Sequence, residues 1–520
     1  MQASVKMREW DEEFDVVVVG FGFAGGVSAI SAHDAGARVL LVEKADYPGG
    51  ISICSAGGIR ITRDADAAFR YLKETNADTA PDGNLRVLAE GMATIADFVK
   101  QLASVNGAEL AEADAPGNYP LGGYESFGFI SVADIPGFDV REGYPHVRGL
   151  RGGARMFKVI EDNVRERGID VRMSTRAVEL VQDNARAIVG IVLENNGRRK
   201  TVHASGIVLS CGGFEAAEDM KRQYWQEKPV APAAFLGNTG DGIRMAQGVG
   251  ADLWHMWHYH GTYGLRHPAI DRYPYGIRLA RFPDWTPGLE GSAEMPAFFL
   301  SASDTKMPWI VVDQFGRRYM NEYPPYLGDT GHRPMVYFDP VTQSYPRIPS
   351  YLIFDRHGFE SHEIGFPTYN NAEMKFAWSK DNRAELEMGW IKKGDSVDAL
   401  AAAIECAPEV LRKTLGEWNA VCRGERQDEF GREGGRAVPL ENAPYFAVQV
   451  WPIVANTQGG PVRDERQRVL TPFGRPIAGL YSAGELGSIF GHLYISGGNL
   501  AECFVGGRIA GREAAAYAGR

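Results

Sequence analysis

The first clear pattern along the chain is an unbroken apolar run, Val16-Val17-Val18-Val19. Four β-branched residues in a row predict a central strand of a parallel sheet, buried on both faces. A small-residue stretch from Val27 to Ala35 predicts a helix packed closely on that strand, and Arg38 to Val42 predicts the next strand. Further on, the pattern predicts a strand over Thr201 to Ser210, a helix over Ile243 to Gly248, a strand from Trp309 to Asp313, helices within Val397 to Arg423 and a last helix from Leu500 to Tyr517. Strands and helices alternating at both ends of the chain indicate the α/β class.

Between the first strand and helix stand Gly20, Gly22 and Gly25, the Gly-x-Gly-x-x-Gly spacing in the strand–turn–helix setting that the motif requires. Gly20 makes the tight turn, Gly22 admits backbone N–H groups to a pyrophosphate, and Gly25 allows the helix to pack against the strand. Ala24 lies in the same turn, and Glu43 ends the second strand where it can accept from adenosine ribose hydroxyls, followed by Lys44. An acid there disfavours a 2′-phosphate. A second loop with Gly50, Ser52, Ser55, Gly57 and Gly58 is expected to wrap the flavin end of the cofactor, and Gly212, Gly213 and Asp241 lie in further turns expected on the cofactor side. The expectation is a Rossmann-like domain holding FAD.

Past about Gly250 the texture changes to Trp254, His255, Trp257, His258, Tyr259, His260, Tyr263, Arg266, Tyr273, Tyr275, Arg278, Arg281, Phe282 and Trp285. That shift divides the chain into a first FAD-binding segment at 1–250, an inserted α+β capping or substrate domain at 251–435, and a second FAD-binding segment at 436–520. Gly484 and Glu485 open the return, with Glu485 expected on a ribityl hydroxyl, and Asn499 and Leu500 at the start of the last helix are expected at the cofactor. No second Gly-x-Gly-x-x-Gly occurs between strand and helix, so no nicotinamide site is expected. The His255-x-x-His258-x-His260 spacing invites a metal, yet no cysteine or convincing carboxylate partner lies nearby, and none is expected.

The length of 520 residues implies more than one domain, and 62 glycines fit a chain with several close backbone–ligand contacts. A net charge of −11 argues against a nucleic-acid partner. The five cysteines stand singly, without spacing for an iron–sulfur cluster, zinc or haem. Met1 to Asp15 is polar, and no apolar run reaches the roughly 18 residues of a membrane helix. A cytoplasmic protein without a transmembrane segment is expected.

As an ordered set, the N-terminal glycine loop, Ser55-Ala-Gly57-Gly58, Cys211-Gly212-Gly213-Phe214, Gly237-Asn-Thr-Gly240-Asp241-Gly242, Gly316-Arg-Arg318-Tyr-Met-Asn321-Glu322, Asn456-Thr-Gln-Gly459-Gly460 and Ala483-Gly484-Glu485 resemble the fumarate reductase/succinate dehydrogenase flavoprotein superfamily over nearly the whole chain. The resemblance implies an FAD domain in two sequence segments with a capping domain between them. Where the soluble fumarate reductases of that superfamily carry a proton-donating arginine, this chain has Tyr326; their substrate-holding histidine is Asn456 here, and a further arginine is Ile495. Tyr326, with Tyr494 and Gly498, looks instead like the 3-ketosteroid dehydrogenases, and Ser496 is more like their Δ4-(5α) type than the Δ1 type. Covalent members attach FAD to a histidine that aligns with Ile51, so the resemblance implies non-covalent FAD.

Removing two hydrogens beside a ketone needs a base for the α-proton, a hydride acceptor and donors for the enolate oxygen. Flavin N5 is the acceptor. The N–H of Gly498 and the hydroxyl of Tyr494 are expected to hold the oxygen, typically worth about 3–4 kcal/mol per donor. Tyr326 is expected as the base, helped by a cation, for which Arg318 is the candidate by proximity in sequence. In the Δ4-type arrangement Tyr494, helped by Ser496, is the base and Tyr326 an auxiliary; both assignments stay open, with Tyr119 and Tyr124 as further pocket-wall candidates. The expected function is FAD-dependent α,β-dehydrogenation of a cyclic ketone, a 3-ketosteroid or a substituted cyclohexanone, with electrons passed to a quinone, oxygen or a redox protein. The aromatic density of Trp254 to Trp285 suits a flat ring system or a capping-domain core, whereas Arg266, Arg272, Arg278 and Arg281 suit a smaller alicyclic keto acid. The alternatives are a reductase of an activated alkene such as fumarate or urocanate, and a non-catalytic flavin carrier.

Overall fold

The computed structural model describes residues 9–147, 150–280, 308–322, 324–367, 376–432 and 437–520. Strands Val16–Val19, Val39–Val42 and Gly206–Leu209 are buried at every residue, and full burial of each valine or leucine contributes about 1.5–3 kcal/mol. They form the middle of a six-stranded sheet in the order Arg468–Leu470, Pro476–Ser482, Gly206–Leu209, Val16–Val19, Val39–Val42 and Asp170–Arg172. All neighbours run parallel except the first pair. The helix Phe23–Asp34 packs on this sheet and against the terminal helix Gly498–Tyr517.

Two elements depart from the pattern-based expectation. The first helix starts at Phe23, not Val27, because the glycine turn runs directly into its first turn. The stretch expected as one strand, Thr201 to Ser210, is two: Arg198–His203 belongs to a four-stranded antiparallel sheet, and Gly206–Leu209 to the parallel one. Burial explains the break, since Arg198 to Lys200 are exposed whereas Gly206 to Leu209 are wholly enclosed.

A second large sheet has the order Ile310–Val312, Ser350–Asp355, Tyr445–Thr457, Tyr259–Arg266, Gly276–Leu279 and Gly365–Phe366. Its long strand Tyr445–Thr457 pairs with both Ser350–Asp355 and Tyr259–Arg266. Tyr263, Leu265, Tyr275, Ile277 and Trp309 build the core beneath it, whereas Trp254 and Tyr259 pack into the other cores and Trp257 is exposed. Arg281, Phe282 and Trp285 lie outside the described residues. A three-stranded sheet of Ile59–Thr62, Phe127–Asp134 and Glu109–Asp114 packs against the terminal helix. Among the described residues no helix is long and apolar enough to cross a membrane.

Candidate active site

One long cavity runs from the glycine turn to the capping sheet. Gly20, Gly22 and Ala24 line one end, with Glu43, Lys44, Gly50, Ser52, Ser55, Gly57 and Gly58; Gly212, Asp241, Glu485, Asn499 and Leu500 continue the wall. At the glycine turn, Gly20 has φ +98°, and a Cβ on Gly25 would lie 1.7 Å from the Gly20 carbonyl oxygen, so only glycine fits there. Helix Phe23–Asp34 begins without a side-chain cap or an acidic residue in its first turn, which leaves backbone N–H groups and the positive helix end to an anion such as a pyrophosphate. The Glu43 carboxylate is held by the N–H groups of Phe21 and Ala45, each at 2.9 Å. Further in, Glu485 accepts from the Thr457 N–H at 3.0 Å, and burial pushes its carboxyl up to about 8. Beside it, Oε2 of buried Glu215 has no hydrogen-bond partner among the described residues. A hydroxyl-bearing chain laid along this wall would meet acceptors, so the residues fit a dinucleotide with a ribityl segment.

At the far end the cavity is walled by His260, Arg278, Tyr326, Asn456, Tyr494 and Ser496. A chain of amides sets the chemistry of this end. Glu502 is paired with Arg463 at 2.8 Å and accepts from Asn499 Nδ2 at 3.0 Å, which turns the Asn499 oxygen toward Asn456 Nδ2, 3.1 Å away. The Asn456 oxygen then faces His260 Nδ1 at 3.1 Å. His260 Nδ1 therefore carries the proton, and its bare Nε2 faces the Tyr326 hydroxyl at 3.2 Å. Burial holds the His260 imidazole down at about 4, so it is neutral.

Tyr494 sits in a different field. Its hydroxyl faces the backbone N–H groups of Asn499 and Gly497 and the charge of Arg60, although burial dominates and pushes the phenol up. Arg60 is 1 % exposed and donates to the carbonyls of Ser496 at 2.7 Å and Ala115 at 2.6 Å, and burial pulls its guanidinium down to about 10. Behind the two tyrosines lies Asp329. It accepts from the Tyr119 hydroxyl at 2.6 Å and from the Tyr494 N–H at 3.0 Å. Burial alone would raise its carboxyl, but His258, Arg333 and His260 outweigh it and hold it at about 2.

The FAD binding domain family matches residues 15–500. The chain belongs to that family. As a member it is a flavin-dependent oxidoreductase, and FAD is its cofactor. It is 25% identical to a 3-oxosteroid 1-dehydrogenase of Mycolicibacterium smegmatis over 98% of each chain. It is 24% identical to a probable fumarate reductase of Shewanella frigidimarina, over 99% of this chain and 79% of that one. The fold matches a 3-ketosteroid Δ1-dehydrogenase of Sterolibacterium denitrificans with a TM-score of 0.76 at 23% identity, covering 97% of this chain and 100% of that one.

Not every expected residue of this FAD binding domain member reaches the cavity. Gly25, Gly213 and Gly484 lie behind the wall: Gly213 abuts Thr457 and Glu485, and Gly484 abuts Ala24 and Cys503. The Gly498 N–H, expected on the substrate oxygen, donates to the Ile495 carbonyl at 2.8 Å, and Gly497 and Asn499 line the cavity in its place. Arg318, expected beside Tyr326, is committed elsewhere, to Glu322 at 2.6 Å and Asp428 at 2.5 Å; the cation whose field reaches both tyrosines is Arg60. The three histidines of the metal-like spacing diverge, with His255 on the Ser488 and Thr79 carbonyls, His258 on the Phe490 carbonyl and His260 on Asn456. Tyr119 supports Asp329, while Tyr124 does not line the cavity. Arg60 and Asp329 fall in no sequence motif; the one available signal was a charge between Ile59 and Ile61 in a short strand.

Proposed function

We propose that the protein catalyses FAD-dependent α,β-dehydrogenation of a cyclic ketone, with Tyr326 as the base. The observation that carries this reading is the Tyr326 hydroxyl directed at the bare Nε2 of a neutral His260. The α-proton passes to the Tyr326 oxygen while the tyrosine's own proton is shared with His260. Tyr494, which receives N–H donors at its oxygen, keeps its proton free to donate to the ketone oxygen as the enolate forms. Ser496 stands on the same wall and suits an auxiliary hydrogen bond in that task. Bound FAD supplies the two-electron hydride-accepting chemistry for the β-hydrogen. The product is the conjugated enone, and a quinone, oxygen or redox protein is the external electron acceptor.

FAD is held non-covalently in this reading, since Ile51 lines the cavity where covalent attachment needs a nucleophile. In this reading the capping domain spans 251–435 and the second FAD-binding segment 436–520, whose strand Tyr445–Thr457 pairs with strands of the capping domain. A cytoplasmic location accords with this assignment. The test is anaerobic mixing of the holoprotein with cyclic ketones while the flavin band near about 450 nm is followed. Bleaching that is lost in Tyr326→Phe supports the reading. A flavin that stays oxidised with every ketone but, once reduced, is reoxidised by an unsaturated acid sinks it in favour of an alkene reductase; a flavin inert to both marks a carrier.

A further inference from the structure

Strand Gly276–Leu279 pairs on one side with Tyr259–Arg266 and on the other with Gly365–Phe366. Alternation along it sends Ile277 and Leu279, 0 % and 4 % exposed, into the capping core, and Arg278 to the opposite face, where it lines the cavity with His260 and Tyr326. The other buried guanidiniums are matched: Arg318 and Arg432 share Glu322, Arg463 holds Glu502, and Arg60 is bonded to carbonyls. Arg278 has no hydrogen bond or ion pair among the described residues, and its charge acts instead on His260, whose protonated form it disfavours.

A partly buried cation on a cavity wall is unfavourable until an anion meets it. Of the four arginines that could serve a carboxylate, Arg266 lies over the Trp451 ring at 5.0 Å, Arg272 over Tyr273 at 5.2 Å, and Arg281 lies outside the described residues. Neither Arg266 nor Arg272 lines the cavity. Among the described residues of the aromatic stretch, Tyr259, Tyr263 and Tyr275 do not line it either, being at most 1 % exposed inside the protein core. Leu150 and Phe235 are among the apolar residues that do line it.

We propose that the substrate is a monocyclic keto acid, a cyclohexanone bearing a ring carboxylate, and that Arg278 binds that carboxylate while Tyr494 and Tyr326 face the ketone end. The proposal rests on the dehydrogenase reading above and narrows its substrate class.

The experiment has two readouts on the holoprotein. In the first, flavin bleaching is compared for 4-oxocyclohexanecarboxylate, its methyl ester and cyclohexanone, in the wild type, Arg278→Leu and Arg278→Lys. The wild type is expected to prefer the acid over the ester by about 30-fold in kcat/KM, as a charge-assisted contact provides; Arg278→Leu brings that ratio near unity and Arg278→Lys restores part of it. In the second, calorimetry with cyclohexanecarboxylate, which lacks the ketone, is expected to show binding that weakens about 30-fold in Arg278→Leu. Equal use of acid and ester by the wild type overturns the proposal and leaves the dehydrogenase reading standing, as does a steroid ketone outperforming the acid. Loss of FAD from Arg278→Leu also overturns it, because the guanidinium then serves the cofactor. If no ketone bleaches the flavin while cyclohexanecarboxylate binding still depends on Arg278, the dehydrogenase reading fails and the carboxylate site stands; if binding is independent of Arg278, both fail.

Discussion

Replacing Asp329 by asparagine removes one negative charge from behind both tyrosines while keeping the side chain's shape. One carboxylate oxygen takes both the Tyr119 hydroxyl and the Tyr494 N–H, and an amide oxygen in its place can accept the same two bonds. What is lost is the charge, against which His258 stands at 3.7 Å and the Arg333 guanidinium exerts its field. Depression of the carboxyl from 3.8 to about 2 corresponds to roughly 2 kcal/mol of native stability near neutral pH. The sign follows from a folded value below the unfolded one: the stabilisation is complete above about pH 4 and fades as the pH falls toward about 2. Urea unfolding of the wild type and Asp329→Asn, followed by tryptophan fluorescence, is therefore expected to show a gap of roughly 2 kcal/mol near pH 7 that narrows below about pH 4. Equal midpoints at neutral pH, or a gap that is unchanged in acid, would refute the electrostatic account of this residue.

Tyr326→Phe is expected to slow ketone-dependent flavin bleaching by about 10²–10⁴-fold with FAD still bound, read by stopped-flow absorbance. Asn456→Leu, which frees His260 from its fixed tautomer, should lower the same rate by a smaller factor, about 10-fold, and alter its pH profile; an unaltered profile argues against the amide chain. Gly25→Ala places a Cβ where the Gly20 carbonyl oxygen lies, so the purified protein is expected to lack FAD, measured as the ratio of flavin to protein absorbance. Burial raises the Glu485 carboxyl to about 8, so the apoprotein is fully stabilised below the unfolded carboxyl value near about 4.5 and loses that increment as the pH rises toward 8. Glu485→Gln should then gain thermal stability relative to the wild-type apoprotein in mild alkali, and a wild-type apoprotein that does not weaken over that range contradicts the assignment.

The cofactor half of the protein was legible because its demands fall on neighbouring residues. Gly20, Gly22, Gly25 and Glu43 sit within one strand–turn–helix–strand unit, and the apolar run Val16–Val19 announces it. The substrate end was only half legible. Tyr326 and Tyr494 could be singled out, but their different roles depend on partners that the fold brings from far away: His260 on Tyr326, and Arg60 with the helix N–H groups around Tyr494. Sequence proximity pointed to Arg318 as the helping cation, and packing gave that residue to Glu322 and Asp428. The aromatic crowd after Gly250 was ambiguous for a similar reason, since composition does not distinguish a core under a sheet from the wall of a cleft.

Strand Tyr445–Thr457 reaches from the capping sheet into the cofactor cleft, where Ala455 and Asn456 line the wall and Thr457 holds Glu485. His260 is the cross-strand partner of Asn456, so both ride with the cap. Asn499, at the start of the terminal helix, rides with the other half of the protein. The Asn456–Asn499 bond consequently ties the sheet that carries His260 to the terminal helix. A separation of these two elements by more than about an ångström would part that bond and leave the His260 ring free to turn, so in the proposed mechanism the readiness of Tyr326 depends on the two elements staying together.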